Sequence, residues 1–366
     1  MPLQADQIND LITTTQRDLG WLKWTDIMSN LQEHIALPRL LDKKKVGFSG
    51  GYGIQWNLQK NTTGNARMTG LYNSTDINVG DTMTTANAPW RHVTTGYAFD
   101  KREFLMNSSS SERIVDLIKT RRSDSLVSLG ELMEVQFWGK PSSADDENMW
   151  GVGVYIVYDN SATAGTFALN TGLPTGFTSV AGIVPSTVQR WANGSGKYST
   201  IDTTNVSTNL IRLWRTANRK SGFKSLPAAG VPQYAAGGAR YEHFVNEATI
   251  NQLEYVLMQQ NDNLGNDLAA KDNQTTFQRM PVIYVPYLDL CNQNPVFGID
   301  WNSFQPVFLE GNYMAETTIG IGQNPQQTLV STTTIDTSVN IRCTDRRKNF
   351  VLSDSASAMS FSALTS

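Results

Sequence analysis

SSSSERIVDLIKTRRSDSLVSLGELMEVQFW, residues 108–138, carries the strongest helical signal in the chain and sets how the rest is read. Ser109 and Glu112 fit the Ser-x-x-Glu capping box, in which a hydroxyl and a carboxylate take up amides that a helix start leaves unpaired. Ile114, Ile118, Leu126, Leu129, Leu132 and Met133 then form an apolar stripe, with Lys119, Arg121, Arg122, Asp124 and Glu131 on the wet side. A helix of ~28 residues rises ~42 Å, so it can act as a strut across a whole domain. Gly130 marks either a close packing point or a bend.

Upstream of this helix the period changes. Tyr52, Ile54, Trp56 and Leu58 alternate with Gly53, Gln55 and Asn57, the two-residue repeat of a strand with one apolar face. A polar tip follows, containing Arg67, and Thr82 to Phe99 returns as a second extended run with Trp90 and Tyr97. This predicts a long hairpin, and an isolated hairpin is marginal in water, so its aromatic face needs a partner surface. Earlier still, Ile8, Leu11, Ile12, Leu19, Leu22, Ile27 and Leu31 recur at helical spacing up to Pro38, and such a terminal stripe must dock on its own body or on a neighbour. Lys43 to Lys45 close the segment as a solvated basic turn.

Downstream the pattern is mixed. Val152 to Tyr158 reads as a buried strand, Ser161 to Ser186 as a loop region, and Asn205 to Arg219 and Tyr241 to Gln260 as helices joined by a Pro- and Gly-rich connector, Ala228 to Gly238. From Pro281 onward short strands dominate. The fold class is α+β, with no internal repeat and no linker that divides the chain cleanly.

Composition narrows the function. The 366 residues carry 30 Lys plus Arg against 33 Asp plus Glu, a formal charge of −3, and only 17% are charged. A typical domain has ~25%. A surface of neutral polar groups does little to keep copies apart, so association is expected. No apolar run approaches a membrane span, the N-terminus lacks a signal-peptide pattern, and Cys291 with Cys343 make neither a disulfide framework nor a zinc site. The near-neutral chain has no long basic block of the kind that marks tight nucleic-acid binding.

Motifs that suggest chemistry fail on context. Gly47, Ser49 and Gly51 spell a nucleophile elbow, but a strand pattern follows where a helix is required, and His92 and His243 have nothing to single them out. Asn193 to Tyr198 resembles a phosphate loop yet has Trp191 and Tyr198 at two defining positions, which leaves a surface turn. His34, His92 and His243 have no metal-ligand spacing, Asp145 to Glu147 read as a solvated acidic loop, and Arg346 to Lys348 read as a strand-end turn. No catalytic residue, cofactor site or metal site is expected.

The order of elements, together with TTNVSTNLIRLWRTANRKSGF and TFQRMPVIYVPYLDL, resembles the major capsid proteins of tailed bacteriophages, the Hong Kong ninety-seven-type capsid fold. That resemblance implies an N-terminal arm over 1–45, an extended hairpin loop over 46–100 and the spine helix of a peripheral domain over 101–138. It implies a mainly axial domain over 139–300, a return to the peripheral domain over 301–344 and an axial segment over 345–366. It further implies assembly with itself into hexamers and pentamers of an icosahedral shell around double-stranded DNA, with no sequence-specific DNA binding and no membrane, in a virion built in a bacterial cytoplasm. Expected inter-subunit contacts are Tyr52, Ile54, Trp56, Arg67 and Trp90 from the loop and Leu11, Leu19, Leu22 and Ile27 from the arm. Ile114, Ile118, Leu126, Leu129 and Leu132 are the expected spine positions.

Some family members carry a cleaved scaffolding segment before the arm. Here the arm begins at Met1, so a separate scaffolding protein is expected, alongside a portal and a decoration protein. Others crosslink a loop lysine to a neighbour, but the tip here has Arg67 and its lysine, Lys60, lies at the base, so no crosslink is expected. An encapsulin-type nanocompartment shell shares the fold and differs in its cargo. A β-rich carbohydrate-binding or fibre protein suits the aromatics but not the long capped helix, and a hydrolase would rest on Ser49 alone.

Overall fold

The computed structural model describes residues 35–43, 46–48, 50–61, 64–71, 77, 79–106, 111–202, 206–221, 241–261, 275–278, 280–291, 293–321, 329–354 and 359. Leu11, Leu19, Leu22, Ile27, Ser49, Ser109 and the connector 228–238 lie outside the described residues, as does the side chain of Ile114.

Helix α1 (Ala36–Lys43) and strand β1 (Val46–Phe48) precede an antiparallel hairpin, β2 (Gly53–Gln59) with β3 (Met83–Pro89). Strand β4 (Arg91–Asp100) and helix α2 (Lys101–Met106) lead into the long helix α3 (Ser111–Trp138). A single turn, α4 (Val152–Tyr155), and strands β5 (Phe167–Asn170) and β6 (Asn193–Lys197) follow. A π turn, Val206–Leu210, runs into α5 (Ile211–Lys220), and β7 (Tyr241–Val245) runs into α6 (Glu247–Asn261). The rest is strands: β8 (Thr276–Phe277), β9 (Met280–Tyr284), β10 (Val296–Asp300), β11 (Phe304–Leu309), β12 (Ala315–Ile319), β13 (Val330–Cys343) and β14 (Phe350–Ser353).

Two sheets organise these elements. In the five-stranded sheet β13 is the axis: β4 pairs along one edge from Val330↔Asp100 to Val339↔Arg91, while β12 and β11 share the other edge end to end, and β1 extends β11 in parallel. The seven-stranded sheet runs β5-β6-β14-β10-β7-β9-β8. Its central strands are buried on both faces, and the two-residue period divides them. Phe244, Phe297, Ile299 and Val351 point into one core, Val245, Val296, Phe350 and Leu352 into the other.

The first core is where α3 ends. Phe137 stacks on Trp301 at 5.6 Å, and Trp138 lies 5.2 Å from Phe244, so the helix terminus ties the seven-stranded sheet to the chain entering β11. Further back α3 rests on β4: Ser125 Oγ donates to the Gly96 carbonyl at 3.2 Å, and Arg121 reaches the Ala98 carbonyl and Glu103, both at 2.9 Å. The second core seats α5 through Leu213, Trp214 and Ala217, with Trp214 stacked 4.5 Å from Phe277.

Several expectations need correction. Val152 to Tyr158 is no strand: Val152–Tyr155 forms a helical turn, because Gly151 and Gly153 let it press on the carbonyls of Gln136, Phe137 and Gly139 at the end of α3, and 156–158 run on without regular structure. Tyr241 to Val245 is a strand, and the helix begins only at Glu247. Asn193 to Lys197 is no surface turn but a buried strand. A Cβ on Gly194 would stand 2.6 Å from Phe167 Cζ and 2.7 Å from Phe350 Cβ, so its glycines make room for aromatic rings. Leu132 is 46% exposed while Leu129 and Met133 are buried, because the inward face of α3 turns toward Glu134 and Trp138. Ile118 and Leu126 are half-buried.

Candidate inter-subunit surfaces

The hairpin has a fixed base and an unsupported tip. Ile54, Trp56, Ala86 and Ala88 fill its inner face and are buried in the first core with Val180, Ala181 and Ile183. The Asn87 amide donates to the Ala181 carbonyl at 3.0 Å, holding β3 to a turn in which Ala181 adopts φ 53°. Half-buried Trp90 donates its indole N–H to the Gly51 carbonyl at 2.9 Å, and Lys60 pairs with Asp81 where the strands end. The chain's own body therefore covers Ile54 and Trp56, and these two side chains do not wait for a neighbour. Beyond the ion pair the chain turns polar and open, and Met68, Leu71, Ile77 and Val79 are each more than three-quarters exposed. Arg67 is exposed on the same tip, and Tyr52 is fully exposed at the root of β2.

A second feature is the clamp on α1, the first described helix of the chain. Glu134, fully buried on α3, accepts the amides of Ala36 at 2.8 Å, Leu37 at 2.8 Å and Ile35 at 3.1 Å, and the Trp138 indole N–H at 2.8 Å. A carboxylate at a helix start meets both the unpaired amides and the positive end of the dipole. From the other side Glu242 on β7 pairs with Arg39 and accepts the Trp301 indole N–H at 3.0 Å. Neither carboxylate was singled out from sequence. The available signal was Glu134 lying between Met133, Phe137 and Trp138 on the apolar side of a helix.

Arg346 is the third. It is fully buried, donating to the Tyr155 carbonyl at 2.7 Å, the Trp191 carbonyl at 2.8 Å and Asn193 Oδ1 at 3.1 Å. Burial pulls its guanidinium down to about 10, still charged at neutral pH. It staples three segments, while exposed Arg347 pairs with Asp345 at 3.1 Å in the expected strand-end turn.

Among the described residues, the histidines and cysteines noted in the sequence lie apart from one another. His243 is buried beneath Trp214, and burial lowers it to about 3, so it stays neutral. His92 lies 2.8 Å from Ser338 Oγ, on a different sheet. Cys291 and Cys343 are buried free thiols, and burial pushes Cys343 up to about 12. Among the described residues no group of three or more His, Cys, Asp or Glu is placed to hold a metal, and no helix is long and apolar enough to cross a membrane.

Known structures share this arrangement over nearly its full length. The capsid of cyanophage A-1(L) superposes with a TM-score of 0.56 at 14% identity, covering 92% of this chain and 97% of that one. This is the fold of a phage capsid subunit. The capsid of a native GTA particle matches with a TM-score of 0.52 at 10% identity over 93% and 95% of the two chains. The cyanophage Pam1 capsid matches at 0.50 with 13% identity over 94% and 97%. No protein-family model and no curated protein sequence matches the chain. The capsid fold is thus visible in the backbone while little sequence likeness remains.

Proposed function

We propose that the chain is a major capsid protein that assembles into pentamers and hexamers of an icosahedral shell enclosing double-stranded DNA. The observation that carries this reading is agreement in fold with capsid subunits over 92–93% of this chain and 95–97% of theirs. The exposed Met68, Leu71, Ile77 and Val79 support it, since large apolar side chains left in water on a hairpin tip are candidates for burial against a partner. In this reading 1–45 is the arm, 46–100 the extended loop and 101–138 the spine. The five-stranded sheet then belongs to a peripheral domain, with 301–344, and the seven-stranded sheet to an axial domain drawn mainly from 139–300 and 345–366.

Tyr52 and Arg67 are the proposed loop contacts, joined by Leu11, Leu19, Leu22 and Ile27 from the arm. Ile54, Trp56 and Trp90 serve instead by holding the loop at its base. Scaffolding, portal and decoration proteins are the proposed partners, the virion capsid the location, and the role structural and not enzymatic. Size-exclusion chromatography with negative-stain microscopy of the purified chain tests the proposal. Megadalton isometric particles are expected, and a monomer that never assembles, alone or with its scaffold, would count decisively against it.

A further inference from the structure

The charge of −3 for the whole chain conceals one strongly basic surface. Helix α5, IRLWRTANRK, contains four basic residues and no acidic one. Leu213, Trp214, Ala217 and Asn218 face inward and are buried, while every exposed side chain on the helix is basic: Arg212, Arg215, Arg219 and Lys220. Among the described residues none of the four forms an ion pair. Their hydrogen bonds run to main-chain carbonyls, Arg219 to Arg215 at 3.2 Å and Lys220 to Phe167 at 3.3 Å. In contrast, Arg39, Arg91, Arg102, Arg121, Arg122 and Arg347 all sit beside carboxylates.

We infer that the outer face of α5 is a contact for the phosphate backbone of double-stranded DNA. Positions 212, 215 and 219 recur at steps of three and four, so their guanidiniums line one face over ~10 Å of helix. Guanidinium is weakly hydrated and matches phosphate in two-pronged geometry. The exposed positions of the helix display no aromatic or amide side chain, which suits backbone contact and leaves base sequence unread. An acidic polypeptide would gain little here: exposed ion pairs add little in water and the face has no fully exposed apolar anchor. Phosphate contact instead gains from counterion release along the duplex. The second core, with Trp214 on Phe277, holds the helix rigid, so the row of charges exists before DNA arrives. The shell reading enters only in supplying the DNA, and duplex binding by the subunit stands or falls without it.

The test is fluorescence anisotropy of the full-length, unassembled chain with a labelled duplex of mixed sequence. Four contacts predict a log–log salt slope of about −3.6, so affinity falls roughly 150-fold from about 50 to about 200 mM salt. The triple variant Arg212→Gln, Arg215→Gln, Arg219→Gln is expected to flatten the slope to about −0.9, and triple Arg→Lys to keep it near the original. Three outcomes would overturn the inference: a wild-type slope near zero, an unchanged slope in the glutamine variant, or displacement of the duplex by polyglutamate at equal charge concentration. The wild-type slope needs no variant, so a folding defect cannot mask the answer. Microscopy of particles reports separately on assembly, so a chain that binds duplex without forming shells, or the reverse, tells the two ideas apart.

Discussion

Replacing Glu134 by alanine tests whether one buried carboxylate holds α1 to the body. Four N–H donors lose their acceptor: the amides of Ile35, Ala36 and Leu37 and the indole of Trp138. Bonds to a charged group contribute ~1.5–3 kcal/mol each, so a rigid structure would lose ~6–12 kcal/mol. The structure has a cheaper response. An eight-residue helix is too short to persist alone, and α1 can undock and let water take the amides. Undocking forfeits the burial of Ala36 and Leu40 and breaks the Arg39–Glu242 pair, ~3–4 kcal/mol together. That smaller figure caps the loss and confines it to one place. Amide hydrogen exchange should show opening of residues 36–43 raised more than ~100-fold, with protection across β13 retained. Glu134→Gln, keeping one carbonyl oxygen, should fall between. Unchanged protection at 36–43 in the alanine variant would show that the clamp does not hold the helix. A loss spread evenly over both sheets would show that α1 cannot undock by itself.

Two further predictions concern the seven-stranded sheet. A Cβ on Gly298 would lie 2.5 Å from Phe350 Cζ and 2.9 Å from its Cδ1 between two paired strands, so Gly298→Ala should destabilise by ~3 kcal/mol, whereas Gly64→Ala, with open space but φ 68°, should cost ~1 kcal/mol. Urea midpoints compare them directly, and equal losses would refute the steric account. Burial holds His243 near 3 while the unfolded chain binds a proton near ~6.5, so the unfolded state takes up the extra proton as pH falls. Stability is therefore expected to drop through that window by up to ~1.4 kcal/mol per pH unit, and a wild-type profile no steeper than that of His243→Gln would contradict it.

Elements with a strong period of their own were legible in the sequence. The long helix over Ser111–Trp138 and the strand Gly53–Gln59 fall where the three-to-four and two-residue repeats place them, and Met83–Pro89 falls within the extended run read over Thr82 to Phe99. Short apolar runs misled, since a buried strand and a buried helical turn look alike over a few residues; Val152 to Tyr155 proved helical and Tyr241 to Val245 extended for that reason. NGSGK reads as a turn by composition, and only the facing rings of Phe167 and Phe350 explain a strand of such small residues. The extended run from Thr82 to Phe99 is divided after Pro89: its first half pairs with β2, and its second leaves for β13, some 240 positions away. The buried charges were least visible of all. Glu134, Glu242 and Arg346 are ordinary polar letters until distant segments bring main-chain amides to the first, an arginine and an indole to the second and main-chain carbonyls to the third.

The placement of β13 bears on how the chain is made. Strands β4, β11 and β12 each bond to β13 and not to one another, so before residues 330–343 leave the ribosome none of these three edges has its partner. Ten residues later β14 does the same for the other sheet, bridging β6 to β10. A ribosome adding ~5–20 residues per second completes both keystones within seconds of each other. Nascent chains, however crowded on one message, would thus hold neither sheet closed until almost all of their sequence is out. Chains interrupted before residue 330 would be left open at both sheets, although the β2–β3 hairpin, which pairs within itself, could already have formed.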